Sequence, residues 1–141
     1  MLITYDSCET SIPAIDQERI SNWVNRVVVN NGFEIGEINY YFCSDDYLLE
    51  MNREHLNHDY FTDIITFDYT IADIISGDLF ISVDTVRDNA KDYQVDFFEE
   101  LHRVIVHGVL HLLGIDDKCD EDQEIMTQKE DESLALLSKI H

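Results

Sequence analysis

Apolar positions along this chain change period several times, and each change marks an element. Ile20, Trp23, Val24, Val27 and Val28 recur at three- and four-residue intervals, the spacing that gathers side chains onto one face of a helix. With Pro13 and Ile15 just upstream, that helix is predicted to begin near the proline and to stop at Asn31-Gly32. From Ile35 to Cys43 the period falls to two: Ile38, Tyr40 and Phe42 alternate with Glu37, Asn39 and Tyr41, as in a strand with one covered face. A short apolar opening over residues 2–5 is a candidate edge strand.

Ser44 and Asp45 offer an N-cap for a helix through Leu48, Leu49 and Met51 to about His55. The turn-rich LNHDYF follows. Asp63 to Tyr69 and Gly77 to Val83 are β-branched and aromatic runs, so two further strands are expected, paired in an undecided direction across a loop at 70–76. Asp84 caps a predicted helix to about Tyr93. Asp96 caps another, on which Phe97, Leu101, Val104, Ile105, Leu112 and Leu113 keep helical spacing until Gly114. A glycine there can take the left-handed conformation that ends a helix. Glu121 to about Lys139 forms a last helix on Ile125, Met126, Leu134, Leu136 and Leu137. The sum is an α+β fold: one small mixed β-sheet of about four strands packed with helices.

The 141 residues contain no repeat, low-complexity tract or Gly/Ser-rich linker, so residues 1–141 are read as one domain. Cys8, Cys43 and Cys119 are odd in number and far apart in sequence, without a Cys-x-x-Cys pair. They imply neither a disulfide framework nor a thiolate zinc knuckle, and read as reduced thiols. The first residues lack the basic start and apolar run of a signal peptide, and no stretch approaches the roughly 20 apolar residues of a membrane span. A cytoplasmic protein without a membrane partner is expected. The charge changes the picture: 30 acidic residues against 9 Lys plus Arg give a formal net of -21. Most of these carboxylates read as a solvated surface. Such a field repels a polyanion unless a bound dication or a small basic patch offsets it locally.

The candidate chemistry lies in HGVLHLLGIDD, residues 107–117. His107 and His111 are four apart on a predicted helix, so both imidazoles project from one face and can reach one ion. Gly114 lets the chain turn back, and Asp117 can then supply a third ligand while a fourth position stays open for water or substrate, the mark of a catalytic zinc site. Asp116 competes for that role, and Cys119 is a fallback. Two histidines at this spacing on a half-buried face, followed by a solvated acidic loop, are the plain alternative. Upstream on the same helix, Glu100 and Arg103 either orient a ligand or form an ordinary ion pair at three-residue spacing.

This segment resembles the signature of the YbeY family of ribosomal RNA maturation endoribonucleases, His-Gly-x-Leu-His-Leu-x-Gly-(aromatic)-Asp-His. His107, Gly108, Leu110, His111, Leu112, Gly114 and Asp116 agree with it; Ile115 stands in place of the aromatic and Asp117 in place of the third histidine. TDIITFDY, from Thr62, is similar to the family's Thr-Asn/Asp-Val-Leu-Ser-Phe strand, and GDLFISVDTVRDNA, from Gly77, to its next strand and helix. Order and spacing agree over about residues 35–117. The family's arginine before the Thr-Asn/Asp strand aligns with Leu56, and Arg53 or His58 is the candidate substitute as a phosphate contact.

The resemblance implies a metal-dependent endoribonuclease acting on single-stranded RNA, not DNA, in ribosomal RNA maturation. It implies one zinc ion per chain, or another divalent metal, held by His107, His111 and Asp117, and a ribosome or ribosomal subunit as partner. Catalytic roles are expected for His107, His111, Arg53 and His58. A different class is a ribosome-associated metal-binding factor with weak or no nuclease activity, toward which Leu56 and the acidity point. A metalloprotease ranks lower, because the general-base glutamate of the HExxH arrangement is here Gly108.

Overall fold

The computed structural model describes residues 1–55 and 62–140. Among these, the elements run β1 (Leu2–Cys8), α1 (Gln17–Asn30), β2 (Glu34–Cys43), α2 (Asp45–His55), β3 (Ile64–Asp68), β4 (Ile74–Ser82), α3 (Val83–Tyr93), α4 (Phe97–Leu112) and α5 (Asp120–Leu137). The strands form one mixed sheet in the order β1-β2-β4-β3. β1 and β4 each pair parallel with β2, and β3 pairs antiparallel with β4. The α+β class and the four-stranded mixed sheet agree with the sequence reading, and the undecided β3–β4 direction is antiparallel.

Several boundaries differ from expectation for local reasons. Helix α1 does not start at Pro13, because the Ile15 N–H turns back to the Pro13 carbonyl at 2.7 Å. The start falls after Asp16, whose carboxylate accepts from the Arg19 N–H at 3.1 Å. The loop at 70–76 is shorter than expected: Ile71 and Ile74 exchange backbone hydrogen bonds, with Ala72 at φ 55°, so β4 begins at Ile74. Helix α3 is capped by Ser82, whose hydroxyl accepts from the Thr85 N–H at 3.1 Å. The predicted cap, Asp84, lies inside the first turn, where its carboxylate accepts from the Asp45 N–H at 3.0 Å. Val83, read as strand, is therefore the first helical residue.

The core lies between one face of the sheet and four helices, α1, α3, α4 and α5. Ile38, Tyr40 and Phe42 of β2 and Leu79 and Ile81 of β4 belong to one buried cluster with Trp23 and Val27 of α1, and with Leu101, Ile105 and Leu112 of α4. α4 lies against β3 and β4, and α5 against α4. The polar atoms in this core have partners. The Tyr40 hydroxyl donates to the Ile105 carbonyl at 3.1 Å, and the Trp23 indole N–H donates to the Ser133 carbonyl at 2.7 Å. Arg19 donates to the carbonyls of Leu137 and Ile140, both at 2.9 Å, which satisfies the C-terminal end of α5. No helix among the described residues is long and apolar enough to cross a membrane.

Trp23 thus ties α1 to α5 by burial and by one directed bond. Trp23→Phe is expected to cost about 1–3 kcal/mol in urea unfolding, through lost volume and the lost hydrogen bond to the Ser133 carbonyl. The control is Val29→Ala on the same helix, at a residue 54% exposed; it should change stability by no more than about 0.5 kcal/mol.

Candidate metal centre

Helix α4 begins where Asp96 accepts from the Phe98 N–H at 3.0 Å, and it ends in a closure that decides the site's geometry. Gly114, at φ +93°, donates its N–H to the His111 carbonyl at 2.9 Å, and Ile115 donates to the Leu110 carbonyl at 3.0 Å. This is the paired pattern of a glycine-terminated helix, with Ile115 packed onto the core as its hydrophobic contact. The reversed chain brings Asp117 over the last turns of α4. There the His107 Nε2 and His111 Nε2 atoms are 3.0 Å apart, and an Asp117 Oδ2 atom lies 3.4 Å from the first and 3.6 Å from the second.

These donors fit a metal ion. Imidazole nitrogens and carboxylate oxygens bind zinc at about 2.0–2.2 Å, which places neighbouring corners of a tetrahedron roughly 3.3–3.6 Å apart. His107, His111 and Asp117 are the group of potential ligands found among the described residues. They form one triangular face, which leaves a further position toward the cleft.

The His107 ring is held from behind. His107 Nδ1 lies 2.6 Å from Glu130 Oε2 on α5, which turns Nε2 toward the shared position. Outer partners of this kind fix the orientation of a ligating imidazole. Glu130, mostly buried, is itself gripped by Arg103, whose Nη1 donates to Oε1 at 2.8 Å while Nη2 donates to Asp131 at 2.8 Å. Burial pulls the His107 imidazole down, but the Glu130 bond and the carboxylates of Glu130, Asp63 and Asp117 outweigh it, so its pKa is raised. Burial and the neighbouring His107 lower that of His111, against the pull of Asp117 and Asp116. Beneath the rings, burial raises Asp63, and burial with the Asp63 charge pushes Glu100 up to about 6.

The site opens into a cleft of about 500 Å³ between α4, β3 and the segment after Gly114. Its walls carry the carboxylates of Asp63, Asp68, Asp116 and Asp117; the only Lys or Arg among the described lining residues is Lys118, whose side chain is 83% exposed.

The structure brings His107, His111 and Asp117 together, as the sequence reading expects. Asp116 instead accepts from the Asp117 N–H at 3.2 Å, and Cys119 is exposed at the N-cap of α5, outside the donor group. The expected ion pair of Glu100 with Arg103 is corrected: Arg103 turns to α5, and Glu100 is buried. Arg53 lies in the last turn of α2, its guanidinium 3.9 Å from Glu50, and is not among the residues lining the cleft. His58 and Leu56 lie outside the described residues. Gly108 is buried, and a Cβ there would stand 2.8 Å from Ile64 Cδ1 and 3.2 Å from Leu79 Cδ2. The position after the first histidine therefore faces the sheet, where a protease's general base could not serve the cleft. Sequence reasoning missed Glu130, Asp63 and Lys118. Glu130 left one trace: it falls on the buried stripe Met126, Glu130, Ser133, Leu137 of α5, an acid at a core position.

Comparison with known proteins places this geometry in a family context. The family model described as Endoribonuclease YbeY matches residues 5–138. A relative named Endoribonuclease YbeY from Parabacteroides distasonis is 52% identical over 137 residues, covering 97% of this chain and 96% of the relative. Namesakes from Phocaeicola vulgatus (51% identical; 97% and 99% covered) and Flavobacterium johnsoniae (51%; 91% and 92%) are similar over most of their length. A Thermotoga maritima protein solved in solution shares the fold at a TM-score of 0.71 and 23% identity, over 97% of this chain and 89% of that one.

The carboxylate behind His107 sets a stability prediction. A double-mutant cycle on Arg103 and Glu130, read by urea unfolding, should give a coupling of about 1–2 kcal/mol because Glu130 is withdrawn from water. The same cycle on Arg87 and Asp84, 3.8 Å apart and half-exposed, should give about 0.5 kcal/mol or less.

Proposed function

The chain belongs to the YbeY family of endoribonucleases, and from that premise we propose that it hydrolyses phosphodiester bonds of single-stranded RNA in ribosomal RNA maturation. We assign one zinc ion, or a comparable divalent ion, to His107, His111 and Asp117. The observation that carries this reading is the convergence of three donor atoms at 3.0, 3.4 and 3.6 Å, with the His107 ring fixed from behind, at the floor of an open cleft. When bound there, the ion supplies Lewis acidity for the phosphoryl group and a positive charge in a cleft that otherwise holds carboxylates.

The chain's own groups do the rest. Glu130 keeps the His107 proton on Nδ1, so Nε2 stays available as a donor. Arg103 holds Glu130 in place at 2.8 Å. Asp117 in place of the usual third histidine adds a negative charge to the donor set, which favours retention of a dication. Lys118, at the cleft mouth, is placed to meet a phosphate that the neighbouring carboxylates would turn away. It takes the part that the aligned Leu56 cannot play; Arg53 and His58 remain candidates for a second phosphate contact. A ribosomal partner and a cytoplasmic setting complete the proposal.

A second reading, a ribosome-associated metal-binding factor with weak or no cleavage, draws on one observation: four carboxylates on the cleft wall against one lysine. Purified protein incubated with single-stranded RNA separates the two. The enzyme reading expects cleavage that a chelator abolishes and that falls roughly a hundredfold or more in His111→Ala; intact RNA under all conditions supports the binding role.

Lys118 is tested by binding in the presence of chelator, so that cleavage does not interfere. Lys118→Ala should reduce the slope of log affinity against log salt by about 0.7, the value of one single-strand phosphate contact. An unchanged slope removes Lys118 from the interface.

A further inference from the structure

Cys8 ends β1 and Cys43 ends β2, and the parallel register sets them directly opposite each other although 35 positions separate them in sequence. Paired residues on neighbouring strands point to the same face, and the strand spacing of about 4.7–4.9 Å falls inside the roughly 4.4–6.8 Å Cα separation that a disulfide spans. The two thiols are free, and the Cys43 thiol donates to the Tyr41 carbonyl at 3.5 Å. Cys8 is partly exposed and Cys43 fully buried. A reagent from solution therefore meets Cys8 first. Burial, with the adjacent Cys8, pushes the Cys43 thiol up to about 12, so Cys43 is a poor nucleophile toward anything not already beside it.

We propose that Cys8 and Cys43 form an oxidation site, closed to an intrachain disulfide by exchange with a low-molecular-weight disulfide. Cys8, as thiolate, attacks one sulfur of the small disulfide; that S–S bond breaks and one small thiolate leaves, with Cys8 held as a mixed disulfide. Cys43 then gives its proton to the departing thiolate or to water and attacks the Cys8 sulfur, and the second small thiolate leaves. Two protein thiols are oxidised and one small disulfide is reduced to two thiols. Proximity drives the second step despite the reluctance of Cys43 to ionise. The bridge staples β1, an edge strand held in the sheet by β2 alone, and encloses the segment that contains α1, so it restricts the unfolded chain. Cys119, exposed at the start of α5, is left out.

The test uses the full chain carrying Cys119→Ser, which removes linkage between molecules through that thiol. After incubation with oxidised glutathione, the expected product is lighter by two hydrogens, carries linked Cys8 and Cys43 peptides, resists alkylation at both, and unfolds at higher urea than the reduced protein, all reversed by dithiothreitol. In Cys43→Ser the reaction should halt as a glutathione adduct on Cys8. Persistence of that adduct in the parent protein, continued alkylation of both cysteines, or linkage only between chains would overturn the proposal. None of these readouts depends on RNA cleavage.

Discussion

Helix α4 is constrained on two faces at once, and the placement of the candidate site follows from that double constraint. One face carries Leu101, Ile105 and Leu112 into the core, with Gly108 allowing close approach to Ile64 and Leu79. The other presents His107 and His111 toward the cleft, with His107 pinned to α5 at 2.6 Å. A helix fixed by packing on one side and by a carboxylate on the other cannot rotate its imidazoles away from each other. The closure at Gly114 adds the third donor without asking the helix to bend. The site is therefore prepared by the fold, and a bound cation would meet donors already gathered rather than have to order them.

Charge explains why the preparation takes this form. The donors sit among carboxylates that repel one another, and burial raises the pKa of Asp63 and pushes that of Glu100 up to about 6. Arg103 offsets part of that repulsion through its bonds to Glu130 and Asp131, and a dication would offset more. A net charge of -21 opposes approach of RNA at long range. A dication at the cleft floor, with Lys118 at its mouth, would act at short range, where salt screens least.

Much of this was legible in the sequence. The four-residue spacing of His107 and His111, the glycine at 114 and the carboxylate at 117 are local relations, and local relations survive translation into structure because a helix and a turn have fixed geometry. The strands were legible for the same reason, through the period-two alternation around Tyr40. What escaped notice depends on tertiary contact. Glu130 lies 23 residues from His107, and only the packing of α5 on α4 brings it there. Cys8 and Cys43 looked remote until the parallel register placed them side by side. For Arg103, helical spacing left an ion pair with Glu100 open beside a ligand-orienting role, and only the packing of α5 shows its partners to be Glu130 and Asp131.

Calorimetric titration of metal-free protein with zinc tests the central claim most directly. The account predicts one ion per chain, loss of that binding in Asp117→Ala, and affinity reduced ten- to a hundredfold in Glu130→Gln, where His107 loses its charged anchor. Binding without a defined stoichiometry, or binding of equal strength in all three proteins, would contradict it.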